Sequence, residues 1–205
     1  MITPIHALIF DFGNVLINWD PRQIFQKFFD HDPRVVERFM DEIDFHDWNL
    51  QQDKGYPFKQ AVADHCARFP QYAHIIHAYD EQWEESITGL IPGTVELLPR
   101  LKAAGYPLYG LTNWSIEKFN VVRNRYAFFG LFDEILVSGQ VKLIKPDPAI
   151  YHLLLQHIQR PPQECFFIDD SPANIAAAEK IGFQTYHFTS PEALEKHLRE
   201  LGILP

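Results

Sequence analysis

Five short apolar runs, separated by segments with helix-boundary signals, constrain the fold of this chain more than any other feature. Each run is largely apolar without alternation, as expected for parallel strands that are covered on both faces of a sheet. The runs cover residues 5–10, 107–112, 134–137, 164–169 and 184–188. This pattern predicts an α/β fold built on a doubly wound, parallel, five-stranded sheet.

The segments between these runs carry residues that begin and end helices. Asp147–Pro148, Ser171–Pro172 and Ser190–Pro191 each place a capping side chain before a proline at the first helical position. Gly182 follows a helical pattern, where a left-handed residue commonly ends a helix. Strands and helices therefore alternate over residues 94–202, as in a doubly wound domain.

One stretch interrupts this alternation. Residues 18–90 show helical patterns and no convincing strand, with helix starts at Asp20–Pro21 and Asp32–Pro33. The sequence therefore predicts two domains, an α/β core of residues 1–17 and 91–205 and a helical cap of residues 18–90. Because the insertion directly follows the first strand, we expect the cap to lie above the carboxyl end of the sheet as a lid.

Composition argues against several classes of partner. Lys and Arg number 18 against 27 Asp and Glu, which gives a net charge of −9. Such a chain repels phosphate backbones, so nucleic acid is not an expected partner. No apolar run approaches the roughly 18 residues that span a bilayer. The widely spaced Cys66 and Cys165 predict free thiols in a reducing compartment. We expect a cytoplasmic protein without a membrane partner, and the oligomeric state is left open.

A carboxylate at the end of the first apolar run is the strongest indication of chemistry. Asp11 follows the run that ends at Phe10 and precedes Gly13. Burying a carboxylate is costly unless a cation compensates it. The carboxyl ends of parallel strands are also where ligands bind in open α/β sheets. Asp11 is therefore predicted to belong to a functional site rather than to packing.

Polar residues follow three other predicted strands in the same way. Thr112 and Asn113 come at the end of the second run, Lys145 follows the third, and Asp169–Asp170 end the fourth. Because a parallel sheet brings these strand ends to one edge, we expect all of them to lie near Asp11.

These residues, in this order, resemble the motifs of the haloacid-dehalogenase-like (HAD) hydrolase superfamily over nearly the whole chain. The segments that carry the resemblance are Asp11-x-Gly13-x-Val15, Thr112–Asn113, Lys145–Pro146 and Asp169–Asp170–Ser171. In detail they are most similar to the branch containing bacterial α-D-glucose-1-phosphate phosphatase. The resemblance implies a Mg²⁺-dependent phosphatase with a helical cap, which acts on a small phosphorylated metabolite through an aspartyl-phosphate.

The resemblance also implies roles for individual residues. Asp11 would be the nucleophile, and Thr112 and Lys145 would take part in catalysis. The groups expected to bind phosphate are Thr112, Asn113 and Lys145. The expected Mg²⁺ ligands are oxygen donors, as this ion prefers: Asp11, the backbone carbonyl of Gly13, Asp170, and Asp169. Asp169 would act either through a water molecule or as a group that orients the others.

Gly13 departs from the usual superfamily pattern. Most of its phosphatases have a second Asp at this position, which protonates the leaving oxygen. A general acid typically contributes about 10²–10⁴ in rate. The glucose-1-phosphate branch shares the glycine, so activity is not excluded. We expect a preference for esters whose leaving group needs little protonation, such as sugar 1-phosphates, and consider Asp20, His46 or a water molecule as substitute proton carriers.

The predicted cap offers a set of polar and aromatic residues that could recognise a sugar. Tryptophan faces stack on sugar rings, and side-chain amides bind hydroxyl groups. The candidates are Trp19, His46, Trp48, Asn49, Gln51 and Gln52. Alternatively, the aromatic members of this set form the core of the cap.

Two other functions are compatible with the sequence. A 2-haloacid dehalogenase of the same superfamily also uses an Asp, a Thr or Ser and a Lys without the second Asp, but attacks carbon and needs no metal. The Asp169–Asp170 pair has no purpose there and favours the phosphatase. A non-catalytic binder of a phosphorylated metabolite would tolerate Gly13, but it would not need Asp11 as a nucleophile.

Overall fold

A computed structural model describes residues 3–205, and its centre is a parallel five-stranded sheet. The described part of the chain contains the strands β1 (Ala7–Phe10), β2 (Ile17–Trp19), β3 (Ile87–Leu90), β4 (Leu108–Thr112), β5 (Glu134–Val137), β6 (Cys165–Asp169) and β7 (Gln184–His187). The central sheet has the order β5-β4-β1-β6-β7, and every neighbouring pair is parallel. The predicted fold class is therefore confirmed, and β1 lies in the middle of the sheet.

Both faces of the sheet are covered, which explains why the strands are apolar without alternation. Leu8 and Phe10 of β1 pack into one buried cluster, whereas Ala7 and Ile9 pack into another on the opposite face. All four side chains are fully buried. The apolar runs thus reflect a strand with two interior faces.

The helices begin and end close to the predicted boundaries. They are α1 (Arg22–Phe25), α2 (Pro33–Glu42), α3 (Phe45–Asp53), α4 (Phe58–Arg68), α5 (Ala73–Glu81), α6 (Pro92–Ala103), α7 (Ile116–Arg123), α8 (Ser138–Val141), α9 (Pro148–Ile158), α10 (Pro172–Ile181) and α11 (Pro191–Glu200). Asp147 and Ser190 cap α9 and α11 through their side chains, and Gly182 ends α10 in the left-handed conformation. Among the helices of residues 3–205, none is both long and apolar enough to cross a membrane.

The inserted segment of residues 18–90 is helical except at its two ends. There β2 and β3 pair with each other in an antiparallel ribbon, with Asn18 opposite Gly89. The expectation of no strand was therefore wrong at these ends, because strands of three and four residues show too little periodicity to be recognised. The ribbon joins the two points at which the chain leaves and re-enters the α/β core.

Candidate active site

Three carboxylates meet at the carboxyl edge of the sheet. Asp11 directly follows β1, Asp169 ends the neighbouring strand β6, and Asp170 comes next. One carboxylate oxygen from each of the three lies within 4.8 Å of the others. Asp169 is fully buried and Asp11 nearly so. Such a cluster is unfavourable without positive charge, so the site requires cations.

Lys145 supplies one of these charges. Its Nζ lies 3.0 Å from Asp11 Oδ1 and 2.6 Å from Asp169 Oδ2, and its side chain is only 1% exposed. Burial lowers the pKa of Lys145, but the carboxylates of Asp11 and Asp169 outweigh burial and raise that pKa above its usual value. Lys145 is therefore held as a buried cation between two acids.

Asn113 fixes the backbone that carries Lys145. Its Nδ2 donates to the carbonyl oxygen of Lys145 at 2.9 Å, and its Oδ1 accepts from the amide of the same residue at 2.9 Å. These bonds connect the end of β4 to the loop before α9. Because both ends of the Asn113 amide are engaged, only its second N–H is free for the predicted bond to phosphate.

Truncation of Asn113 should therefore destabilise the protein. Asn113→Ala leaves the amide and carbonyl of Lys145 without their partners, and each such group is worth about 1–3 kcal/mol. We expect the free energy of unfolding in urea to fall by roughly that amount or more. Asn120→Ala, at an exposed position of α7, is the matched control. Equal stabilities of the two variants would contradict this positioning role.

Asp169 is more fully engaged than a simple metal ligand would be. Its Oδ1 accepts from the amide of Ser171 at 2.8 Å, and both its oxygens accept from Nδ2 of Asn174 at 3.0 and 3.1 Å. Lys145 is a further donor to Asp169. These contacts favour a role for Asp169 in orienting the other groups over a role as a Mg²⁺ ligand through water.

The remaining acids fit a divalent cation. Burial, and then the charge of Asp169, raise the pKa of both Asp11 and Asp170, while Lys145 acts in the opposite direction. A bound cation would remove this penalty, because an opposite charge favours the ionised carboxylate. Carboxylate and carbonyl oxygens are the donors that Mg²⁺ prefers. Asp11 and Asp170, with the backbone carbonyl of Gly13, are therefore the residues that would hold Mg²⁺.

Mg²⁺ should accordingly stabilise the folded protein. At one hundred times its Kd, a ligand that binds only the folded state adds about 2.7 kcal/mol, or roughly 5–10 °C in Tm for a chain of this size. We expect this rise on replacing EDTA with MgCl₂ in a thermal melt. The rise should shrink as the pH falls, because protons compete for carboxyl groups whose pKa is raised. A rise of equal size in Asp170→Asn would contradict this ligand set.

A cavity lies between this edge of the sheet and the inserted helices. Gly13 and Thr112 line it on the side of the sheet. Most of its wall is apolar and aromatic, formed by Ile17, Trp19, Phe58, Trp83, Ile87 and Trp114. The cavity is therefore suited to the organic part of a substrate whose reacting group lies near Asp11.

Only part of the predicted recognition set reaches this cavity. Trp19 and Asn49 line it, as do Thr112 and Asn113. The prediction is wrong for Trp48, whose Nε1 donates to the carbonyl of Ala61 at 3.1 Å inside the core of the insertion. Trp48 instead belongs to the aromatic core of the insertion, which was the alternative interpretation.

The other predicted residues of the insertion lie elsewhere. His46 is exposed and borders a separate surface groove, and Gln51 is also exposed, so neither contacts the cavity in this structure. Gln52 is fully buried and donates to the carbonyl of Trp48 at 3.2 Å. Gln52 does not line the cavity, so it does not contact a substrate held there.

Asp20 is poorly suited to the role of proton carrier that the sequence suggested. It accepts hydrogen bonds from Gln23 Nε2 and from the amide of Arg22, both at 3.0 Å. Burial raises its pKa, but these bonds outweigh burial and lower it below the usual value. Asp20 also does not line the cavity.

Asp53, which the sequence analysis did not single out, lines the cavity at the end of α3. Burial raises the pKa of Asp53 to about 7; the Asp11 charge also raises it, whereas a hydrogen bond from the amide of Ser115 lowers it. Local sequence offers little signal for this position, because α3 begins at the left-handed Asp44 without a capping hydrogen bond. Gly55 is the one available hint, since a glycine there permits a close backbone approach.

Comparisons with known proteins agree with this geometry. The chain is 28% identical over 207 residues to the sesquiterpene phosphatase astK of Aspergillus oryzae, covering 98% of each protein. It is 25% identical over 203 residues to drimenol cyclase drtB of Aspergillus calidoustus, covering 96% of this chain but only 36% of that protein. The chain thus spans about a third of the length of drtB.

A solved structure extends the comparison to the fold. The HAD family enzyme BT-2542 of Bacteroides thetaiotaomicron, in complex with magnesium and inorganic phosphate, is 27% identical with a TM-score of 0.71, covering 91% of this chain and 95% of that one. Residues 5–182 also match the family model described as haloacid dehalogenase-like hydrolase. This match covers most of the sequence and includes every residue of the acidic edge, so the chain belongs to the haloacid dehalogenase-like hydrolase family.

Proposed function

We propose that this chain is a Mg²⁺-dependent phosphatase that hydrolyses a small phosphomonoester through an aspartyl-phosphate on Asp11. The observation that carries this proposal is the convergence of Asp11, Asp169 and Asp170 around Lys145 at one edge of the sheet. A carboxylate nucleophile beside a buried cation and a pair of acids suits attack on an anionic ester. The name of astK and the bound magnesium and phosphate of BT-2542 support the same assignment.

Each residue of the site has a separate role in the proposed reaction. The carboxylate of Asp11 attacks phosphorus, the bond to the leaving oxygen breaks, and the phosphoryl group is carried on Asp11 until water displaces it as phosphate. Lys145 opposes the effect of burial on the pKa of Asp11 and so favours its ionised form. Lys145 also compensates the charge of the phosphoryl group, and Asp169 holds Lys145 in place. Thr112 and the free N–H of Asn113 donate to phosphate oxygens. When bound, Mg²⁺ neutralises the repulsion between a phosphate dianion and the attacking carboxylate.

The substrate is proposed to be a sugar phosphate such as glucose 1-phosphate, as the sequence resemblance suggested. Trp19 and Asn49 in the cavity wall supply a stacking surface and an amide that suit a sugar ring and its hydroxyls. A prenyl monophosphate is a second candidate. It is favoured by the predominantly aromatic and apolar wall and by the relative astK, a sesquiterpene phosphatase.

A screen of phosphorylated metabolites tests the proposed activity. We expect phosphate release with MgCl₂ and none with EDTA. Sugar 1-phosphates, farnesyl phosphate and glycerol phosphate should be compared in the same assay. Turnover of glycerol phosphate equal to that of the other two would contradict the two proposed substrate classes.

The same assay separates the alternatives. A 2-haloacid dehalogenase would release chloride from 2-chloropropionate in the presence of EDTA. A binder would retain phosphorylated ligands without releasing phosphate. Either result, with no metal-dependent phosphatase activity, would contradict the proposal.

We also propose that residues 18–90 act as a cap over the core of residues 1–17 and 91–205. The ribbon of β2 and β3 at the two crossings is the expected hinge. The two free thiols, Cys66 and Cys165, support a reducing compartment such as the cytoplasm.

A further inference from the structure

We infer that Asp53 is the acid that protonates the leaving oxygen, a role for which Gly13 provides no side chain. This inference rests on the proposed phosphatase function and names the residue that completes it. Asp53 belongs to the inserted helices rather than to the sheet. The acid would therefore act from the insertion, whereas the nucleophile lies at the edge of the sheet.

The first observation is the position of Asp53. Asp53 lines the same cavity as Gly13 and Thr112. Within residues 3–205, no other residue in the wall of this cavity carries a carboxyl, imidazole or amino group. A proton carrier that contacts the organic part of a substrate held there must therefore be Asp53 or water.

The second observation is that hydrogen bonds fix the carboxyl group. Nδ2 of Asn49 donates to Asp53 Oδ2 at 3.1 Å. The hydroxyl of Tyr79 donates to Oδ1 of Asn49 at 2.8 Å, which sets the orientation of that amide. The carboxyl group of Asp53 is thus oriented by hydrogen-bonded neighbours within the insertion.

The third observation is that the backbone around Asp53 is docked on the core. Oγ of Ser138 donates to the carbonyl of Asp53 at 2.6 Å. Gly55 has a φ of +87°, and a Cβ there would lie 2.5 Å from the carbonyl oxygen of Gly139. Only glycine permits this approach. The contact places the end of α3 at a fixed position relative to the sheet.

The electrostatic surroundings suit an acid that exchanges its proton. The pKa of Asp53 is raised to about 7, mainly by burial and further by Asp11, so both its forms are populated near neutral pH. Lys118 does not compensate its charge, because its Nζ is bound to Asp80 Oδ1 at 2.6 Å. Charged or titratable groups on the surrounding elements include Asp11, Tyr79, Asp80, Glu117, Lys118 and Lys142.

The proton balance closes over the two steps. In the first, the carboxyl proton of Asp53 passes to the leaving oxygen as its bond to phosphorus breaks. In the second, the carboxylate of Asp53 accepts a proton from the water that attacks the phosphorus on Asp11. Asp53 is then protonated again and the enzyme is ready for another ester.

Comparison of esters with different leaving groups tests this role. With Mg²⁺ present, kcat/KM should be measured for Asp53→Asn and the wild type on p-nitrophenyl phosphate and on an alkyl phosphate. We expect a loss of about 10²–10⁴-fold on the alkyl ester and of less than about tenfold on p-nitrophenyl phosphate, whose leaving group needs little protonation. Asp47→Asn, at an exposed position of the same helix, is the matched control and should leave both values unchanged.

The pH profile provides a second readout. In the wild type, kcat/KM for the alkyl ester should decline above about pH 7, where Asp53 loses its proton. This decline should be absent in Asp53→Asn. Equal losses on the two esters, no loss on either, or an unchanged profile would overturn the inference. A wild type that is inactive on both esters would instead contradict the phosphatase proposal.

Discussion

Asp11→Asn should abolish turnover, with kcat reduced by about 10⁴-fold or more, as expected when a covalent nucleophile is removed. The amide has nearly the same shape as the carboxyl group but cannot attack phosphorus. Phosphate release from the best substrate of the screen, in the presence of Mg²⁺, is the measurement. Residual activity within about tenfold of the wild type would show that Asp11 is not the nucleophile.

The same variant should not be destabilised at neutral pH in the absence of metal. The pKa of Asp11 in the folded protein is raised above its unfolded value, chiefly by burial. Ionisation of Asp11 therefore lowers the stability of the wild type as the pH rises from the unfolded pKa through the folded pKa. Removal of this charge should therefore make the stability of Asp11→Asn relative to the wild type increase with pH over that window. Urea unfolding in EDTA at several pH values measures the difference, and a difference that decreases with pH would contradict the burial argument.

Lys145→Met should have the second large effect, on stability as well as on activity. The substitution removes the cation that contacts both Asp11 and Asp169 at a position where the lysine side chain is only 1% exposed. Removing one partner of a buried pair costs about 3–5 kcal/mol, because the remaining charge is left uncompensated. We expect that loss in urea unfolding at pH 7 in EDTA, together with a loss of phosphatase activity.

Lys180→Met, at an exposed position of α10, is the matched control for this substitution. It should leave both stability and activity close to those of the wild type. If Lys145→Met were no less stable than this control, Lys145 would not be the cation that the acidic edge requires. Lys145→Arg is not expected to restore function, because a planar guanidinium does not replace a compact ammonium between two carboxylates.

Much of the core could be predicted because its elements are marked by strong local signals. The inner strands β1, β4 and β6 are almost wholly buried and are therefore largely apolar, and proline follows a capping residue at the start of α9 and α11. Asp11, Lys145 and Asp169 were predictable for a related reason. Each follows or ends a recognisable element. The parallel topology brings Asp11 and Asp169 to one edge, and Lys145 reaches this edge on a loop that Asn113 holds.

The insertion was less predictable because its structure depends on contacts distant in sequence. The ribbon of β2 and β3 joins residues about seventy positions apart, with Asn18 opposite Gly89. The local sequence around Trp48 reveals neither its hydrogen bond to Ala61 nor its burial. The role of Asp53 likewise depends on the docking of α3 against Ser138, which no local pattern reveals.

Chemical trapping tests the central claim most directly. The enzyme should be mixed with Mg²⁺ and substrate, quenched during turnover and treated with borohydride, which reduces an acyl phosphate to an alcohol. Mass spectrometry of the peptide that contains Asp11 should then show conversion of this residue to homoserine, in the wild type and not in Asp11→Asn. Rapid phosphate release with no modification at position 11, or with modification at another carboxylate, would contradict the assignment of Asp11 as the residue that accepts the phosphoryl group.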